Sequence, residues 1–172
     1  MYLFQSIAAL LLTASGLWAA EYLSIPYRPD PGFTIDGDLA DWGPVKQKVI
    51  VDQAAQAHLS PELWKGPEDL SAIVQMAWRN EGLYVAAQVK DDLFRQSNQE
   101  QRSWQGDNVQ LYLDVRPDSE KERKSFGDGQ FVICMNPGDL EKGNFPAHFY
   151  AYNPAKANLS GAKIAARKTA EG

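Results

Sequence analysis

Residues 72–89 read AIVQMAWRNEGLYVAAQV, and their alternation decides the fold class. Ala72, Val74, Met76 and Trp78 fall on one face of an extended chain, and Asn80-Glu81-Gly82 supplies turn chemistry. Leu83, Val85, Ala87 and Val89 then share one face of the returning strand. The stretch predicts an antiparallel hairpin, with Trp78 expected in the core beside Val74 and Met76.

The same period continues outward from the hairpin. Residues 108–116 place Val109, Leu111, Leu113 and Val115 inward and Gln110, Tyr112 and Asp114 outward. Residues 130–136 and 147–152 read as further strands, bounded by Gly127-Asp128-Gly129 and Asn136-Pro137-Gly138. Residues 22–27, 46–51 and 163–168 are expected strands too, and only 39–42 and 61–64 suggest helical turns. Many short strands between turn signals, with no internal repeat or low-complexity linker, predict an all-β protein. The expected architecture is an antiparallel β-sandwich, immunoglobulin-like or jelly-roll-like.

Before the hairpin lies FTIDGDLADW, residues 33–42, with three carboxylates directly ahead of a tryptophan. Asp36-Gly37 is a turn dipeptide, Asp38 stands where a helix N-cap would, and Asp41 completes a weak capping box. A calcium loop would need oxygen ligands at alternating positions and a terminal Glu, which Leu39, Trp42 and Gly43 do not supply. The expected reading is a turn and a short capped helical start, with Trp42 packed beneath it.

At 172 residues the chain is long enough for one domain with a core. Its net charge is −5, and its densest basic run, Glu120-Lys121-Glu122-Arg123-Lys124, alternates in sign, which argues against nucleic acid as a partner. Residues 7–20 are apolar, uncharged and short for a membrane span, ending in Leu17-Trp18-Ala19-Ala20. Residues 1–20 are therefore expected to be a signal peptide, leaving 21–172 as a secreted or periplasmic domain with no membrane segment after cleavage. The single cysteine, Cys134, excludes internal disulfides and alternates within an apolar run that suits burial.

These residues together resemble the family 9 carbohydrate-binding module. The resemblance rests on Ile35-Asp36-Gly37 with Asp41-Trp42, on Ala77-Trp78 and Leu83-Tyr84-Val85-Ala86, and on Val89-Lys90-Asp91. It rests above all on Trp104-Gln105-Gly106-Asp107-Asn108-Val109-Gln110-Leu111-Tyr112-Leu113-Asp114, and it runs from about Phe33 to the end of the chain. It implies a noncatalytic β-sandwich that binds polysaccharide, in which tryptophans stack on a sugar ring. The apolar C–H face of a pyranose lies against an aromatic ring while polar side chains hydrogen-bond the hydroxyls at its edge.

On this resemblance the site candidates are Trp104, Gln110, Trp64 and Tyr112. Trp104 matches the first sugar-stacking tryptophan and sits in a polar loop; its alternative is a lid over the sandwich edge. Gln110 stands where the family has a sugar-contacting glutamate, and Tyr112 points outward on the same strand. Trp64 is either a second groove wall or packing against the sandwich. His148, Tyr150 and Tyr152 form an outward stripe that would extend a binding face. Two departures stand out: Val132 replaces an expected sugar-binding arginine, and the region of the second tryptophan is missing. The fold is therefore expected to be incomplete at the C-terminus, with a continuation or a catalytic domain beyond Gly172.

Calcium is the metal that Asp91, Asp92, Asp107 and Asp128 would suit, with solvated loop acids at strand ends as the alternative reading, while His58, His148 and Cys134 are too scattered for zinc. The two histidines lack any motif for nucleophilic catalysis, and Asp91, Asp92, Asp107 and Asp114 are ordinary strand-end acids, so no enzyme is expected. Two other readings stay open. One is a haem-binding exported electron-transfer sandwich with Met76, Met135 and His148 as axial candidates, although Cys-x-x-Cys-His is lacking. The other is a ligand-free accessory interaction module of a larger exported protein.

Overall fold

The structure is a computed structural model that describes residues 24–57, 61–117, 125–155 and 157–169. The expected leader at 1–20, His58, the alternating charges at 120–124 and the last residues from 170 lie outside the described residues. What is described is nearly all β, two antiparallel three-stranded sheets with short 3-10 turns, in keeping with the all-β sandwich class. The chain divides into two compact units. The first comprises the chain up to Thr34 with Leu39–Leu93; the second comprises Ile35–Asp38 with Phe94–Lys168.

The first unit carries β1 (Val49–Val51), β2 (Leu70–Arg79) and β3 (Gly82–Asp91) in that order across the sheet. The expected hairpin forms along its whole length, from Leu70 opposite Asp91 to Arg79 opposite Gly82. Its buried face is not the one that the alternation favours. Ala77 and Ala86 are the buried hairpin residues, covered by Trp42 and Val45, whereas Trp78 is 46% exposed and touches Tyr27 edge-on at 4.7 Å. The physical reason is size, because two methyl side chains leave room for the Trp42 indole against the sheet. Phe33 then stacks on that indole at 4.1 Å, and Gln75 Nε2 donates to the carbonyls of Trp42 (3.2 Å) and Val45 (2.7 Å). At the N-terminal side, Tyr27 makes a single parallel bridge to Trp78 where a strand over 22–27 is expected; residues 24–26 form none, and 22–23 lie outside the described residues.

The carboxylates of residues 33–42 divide their work. Asp36 Oδ1 accepts the Asp38 N–H at 2.8 Å, Asp41 Oδ2 accepts the Thr34 N–H at 2.8 Å, and Asp38 pairs with Arg167 at 3.0 Å. The helical turn Ala40–Trp42 is N-capped by Leu39 with no side-chain cap bond, so the expected capping box is replaced by an Asx turn and an ion pair. Gly37 has φ 83°, and a Cβ there would meet the backbone of Ala166 and Arg167 at 3.3 Å. Gly37→Ala is expected to destabilise the protein by about 1–2 kcal/mol, read as a lower urea midpoint.

The second unit carries β4 (Val109–Asp114), β5 (Gln130–Asn136) and β6 (His148–Asn153), again in that order. One face of β5 is buried at Val132, Cys134 and Asn136, and burial pushes the Cys134 thiol up to about 11, so it is an inert packing group. β4 pairs with β5 in unbroken register, whereas β6 slips against β5 between Val132 and Ile133. Residues 163–168, an expected strand, form none. The loop expected around Trp104 is instead a 3-10 turn, Glu100–Gln105.

Candidate functional site

The turn Glu100–Gln105 has no apolar periodicity to hold it, and its anchor is polar. Ser103 is fully buried, and its Oγ accepts from Asn136 Nδ2 at 2.9 Å and meets His148 Nε2 at 3.4 Å. Gln96, also buried, donates from Nε2 to the carbonyls of Ser103 (3.1 Å) and Asp107 (2.8 Å). Gly106 follows because a Cβ there would lie 2.5 Å from Gln96 Oε1. With Ser103 turned inward, the next side chain on a 3-10 turn rotates away, and Trp104 is 56% exposed.

Trp104 forms part of an open trough of about 420 Å³ on the second unit. Gln110 and Tyr112 of β4 line it, as do Val132 of β5 and Tyr152 and Asn153 of β6, with Phe126 from the loop before β5. The register explains the company: Tyr112 and Asn153 both stand opposite Val132, so three neighbouring strands put these side chains on one face. Val132, where the resemblance puts an arginine, is only 6% exposed and forms an apolar floor. Phe126 is 62% exposed and Tyr112 60%, so the trough has aromatic surface on several sides.

The adjacent residues Tyr152 and Asn153 would point to opposite faces of a regular strand. Here Ala151 stands opposite Ile133 and Asn153 opposite Val132, so Tyr152 is the extra residue of a β-bulge and both side chains reach the trough. The Tyr152 hydroxyl accepts the Trp104 N–H at 3.2 Å and donates to the Gln101 carbonyl at 3.3 Å. Burial raises its pKa above the ordinary tyrosine value, so the donor is retained throughout the neutral range.

The polar atoms left for a ligand follow from what is already bonded. The Tyr112 hydroxyl donates to Gln110 Oε1 at 2.9 Å, which leaves Gln110 Nε2 as a donor without a protein partner among the described residues. Asn153 Nδ2 is committed to the carbonyls of Gly127 and Gln130, which leaves Asn153 Oδ1 as an acceptor. Among the described residues no lining side chain is charged. The nearest residue with a perturbed carboxylate on β4, Asp114, is held well below the usual range by Arg116.

The structure thus brings three sequence candidates together, Trp104, Gln110 and Tyr112, and leaves the fourth elsewhere. Trp64 belongs to the first unit, where its indole N–H donates to the Leu70 carbonyl at 2.8 Å. Phe126 and Asn153 were not singled out. Phe126 had a usable signal, a lone aromatic between Ser125 and Gly127-Asp128-Gly129, the same polar setting that marked Trp104. Asn153 had none, since its orientation depends on the bulge.

Two of the acids named for calcium bind backbone N–H groups. Asp91 Oδ1 accepts the Leu93 N–H at 2.8 Å, and Asp107 accepts the Arg95 N–H. Among the described residues no three His, Cys, Asp or Glu side chains gather into a group that could hold a metal ion. Two of the haem candidates, Met135 and His148, face away from each other within the second sheet. Met135 stands opposite Phe149 and His148 opposite Asn136, on opposite faces of the sheet, and Met76 belongs to the first unit.

The comparison with known proteins adds one match. Residues 35–158 match the family model described as carbohydrate family 9 binding domain-like, which covers every residue lining the trough. No curated protein and no solved structure matches the chain.

Proposed function

The chain belongs to the carbohydrate family 9 binding domain-like family, and from that premise we propose that its trough binds an uncharged glycan without transforming it. The family is one of carbohydrate-binding modules, noncatalytic in general. The observation that carries the proposal is that one open trough sets the exposed Trp104 ring beside Gln110 and Tyr112. Its volume, about 420 Å³, lies within the range of small-ligand sites.

On this reading a pyranose lays its C–H face on Trp104, and its hydroxyls meet Gln110 Nε2, the Tyr112 oxygen and Asn153 Oδ1. Phe126 supplies further apolar surface. With Val132 as the floor, the described lining residues supply no guanidinium to clamp hydroxyls bidentately, and stacking carries the larger share of affinity. The apolar residues 7–20 support a role outside the cytoplasm, secreted or periplasmic, where such a module would hold an associated catalytic domain near its polymer.

Calorimetry with soluble cello-oligosaccharides, xylo-oligosaccharides and oligogalacturonate tests this. Binding is expected for a neutral series and not for the uronate, because the described residues of the trough offer an anion no counter-charge. Silence toward every neutral glycan would overturn the proposal in favour of a ligand-free interaction module.

A further inference from the structure

We infer that Tyr152 is a positioning residue, whose hydroxyl fixes the turn that carries Trp104 while its ring forms part of the trough; this rests on the glycan reading of that site. The hydroxyl bonds to two backbone groups whose roles are unambiguous, the Trp104 N–H as donor and the Gln101 carbonyl as acceptor. Those two groups are separated by three residues, the spacing of hydrogen-bond partners in a 3-10 turn. A single phenol oxygen therefore holds both ends of that link, in a turn whose sequence gives it little stability of its own.

The bulge is what delivers the hydroxyl there. Tyr152 has no opposite residue on β5, so it is released from the ladder that constrains Tyr150 and Asn153. Tyr150 packs edge-on against the Tyr152 ring at 4.9 Å, which holds the phenol upright over the strand. With its one proton donated to the Gln101 carbonyl and one lone pair taken by the Trp104 N–H, the Tyr152 hydroxyl has no proton left to donate to a sugar, and its main contribution to recognition passes through Trp104. Tyr112 is the contrast, because its hydroxyl sits on a side chain, Gln110, at the ligand edge.

The test separates position from contact and from the glycan reading itself. In the wild-type protein the Trp104 amide is expected to be protected from hydrogen exchange; exchange as free as that of an exposed loop would overturn the inference without any variant. Tyr152→Phe keeps the ring and removes the link, so faster exchange is expected at Trp104 and unchanged exchange in β2 and β3. Glycan affinity is expected to fall about tenfold, the equivalent of one hydrogen bond, and Tyr150→Phe should leave both readouts unchanged. Retained protection at Trp104 in Tyr152→Phe would overturn the inference, as would retained protection with weakened binding, which would mean direct contact between the hydroxyl and the sugar. If no glycan binds the wild type, the exchange measurement still decides the positioning role while the glycan reading fails separately.

Discussion

Trp104→Ala is expected to weaken binding of the neutral oligosaccharide selected by calorimetry roughly 30-fold or more, with little change in the unfolding midpoint. The magnitude follows from truncating an aromatic anchor in a binding patch, about 2 kcal/mol or more. The small effect on stability follows from its environment. More than half of the Trp104 surface is already in water, and its one hydrogen bond to Tyr152 is made by the main chain, which alanine keeps. A side chain that contributes so little to packing can be removed without leaving a cavity.

The alternative role, a lid over the sheet edge, predicts the opposite pair of outcomes: lower stability and unchanged affinity. Trp104→Phe separates the two further, because a smaller ring still stacks on a pyranose but covers less of an edge; an intermediate affinity with wild-type stability is expected. Unchanged affinity in Trp104→Ala would remove Trp104 from the site and leave Phe126 and Tyr112 as the exposed platforms among the described residues of the trough. Phe126→Ala, measured alongside, then shows whether the sugar lies nearer the loop before β5.

Much of this site could be read from residue order because strand alternation is a local signal. Val109 to Asp114 alternates cleanly, which by itself puts Gln110 and Tyr112 on the outward face, and the polar neighbours of Trp104 indicate exposure. What escaped was nonlocal. The buried face of the hairpin depends on Trp42 filling the space over Ala77 and Ala86, and two alanines carry too weak a hydrophobic signal to announce it. The turn Glu100–Gln105 is held by Asn136, 33 residues from Ser103, and the bulge at Tyr152 arises from a register slip against β5 that no composition records. Trp64 resembles Trp104 in its loop setting, yet its indole N–H donates to a strand carbonyl six residues on, a partner that its neighbours in sequence do not announce.

Asn136→Ala is expected to be among the most damaging single substitutions in the second unit, because this fully buried amide joins three chain segments. Its Nδ2 donates to the Asn98 carbonyl at 2.8 Å and to Ser103 Oγ at 2.9 Å, and its Oδ1 accepts the Gly138 N–H at 2.9 Å. Alanine leaves the Asn98 carbonyl and the Gly138 N–H without these partners and adds a void. At about 1–3 kcal/mol for each unsatisfied buried group, a loss of about 3–4 kcal/mol is expected. Ser103→Ala should cost less, since it removes one shared contact, and the double variant should cost less than the sum because the two residues share a hydrogen bond. Because the chain has two units, the loss is best read by amide exchange in β4–β6, where opening should become easier while β2 and β3 keep their protection. Glycan affinity should fall with it, since the anchor of Ser103 is also the anchor of the turn that presents Trp104. A loss below about 1 kcal/mol would mean that water replaces the amide, and that the turn is held chiefly by Gln96 and Tyr152.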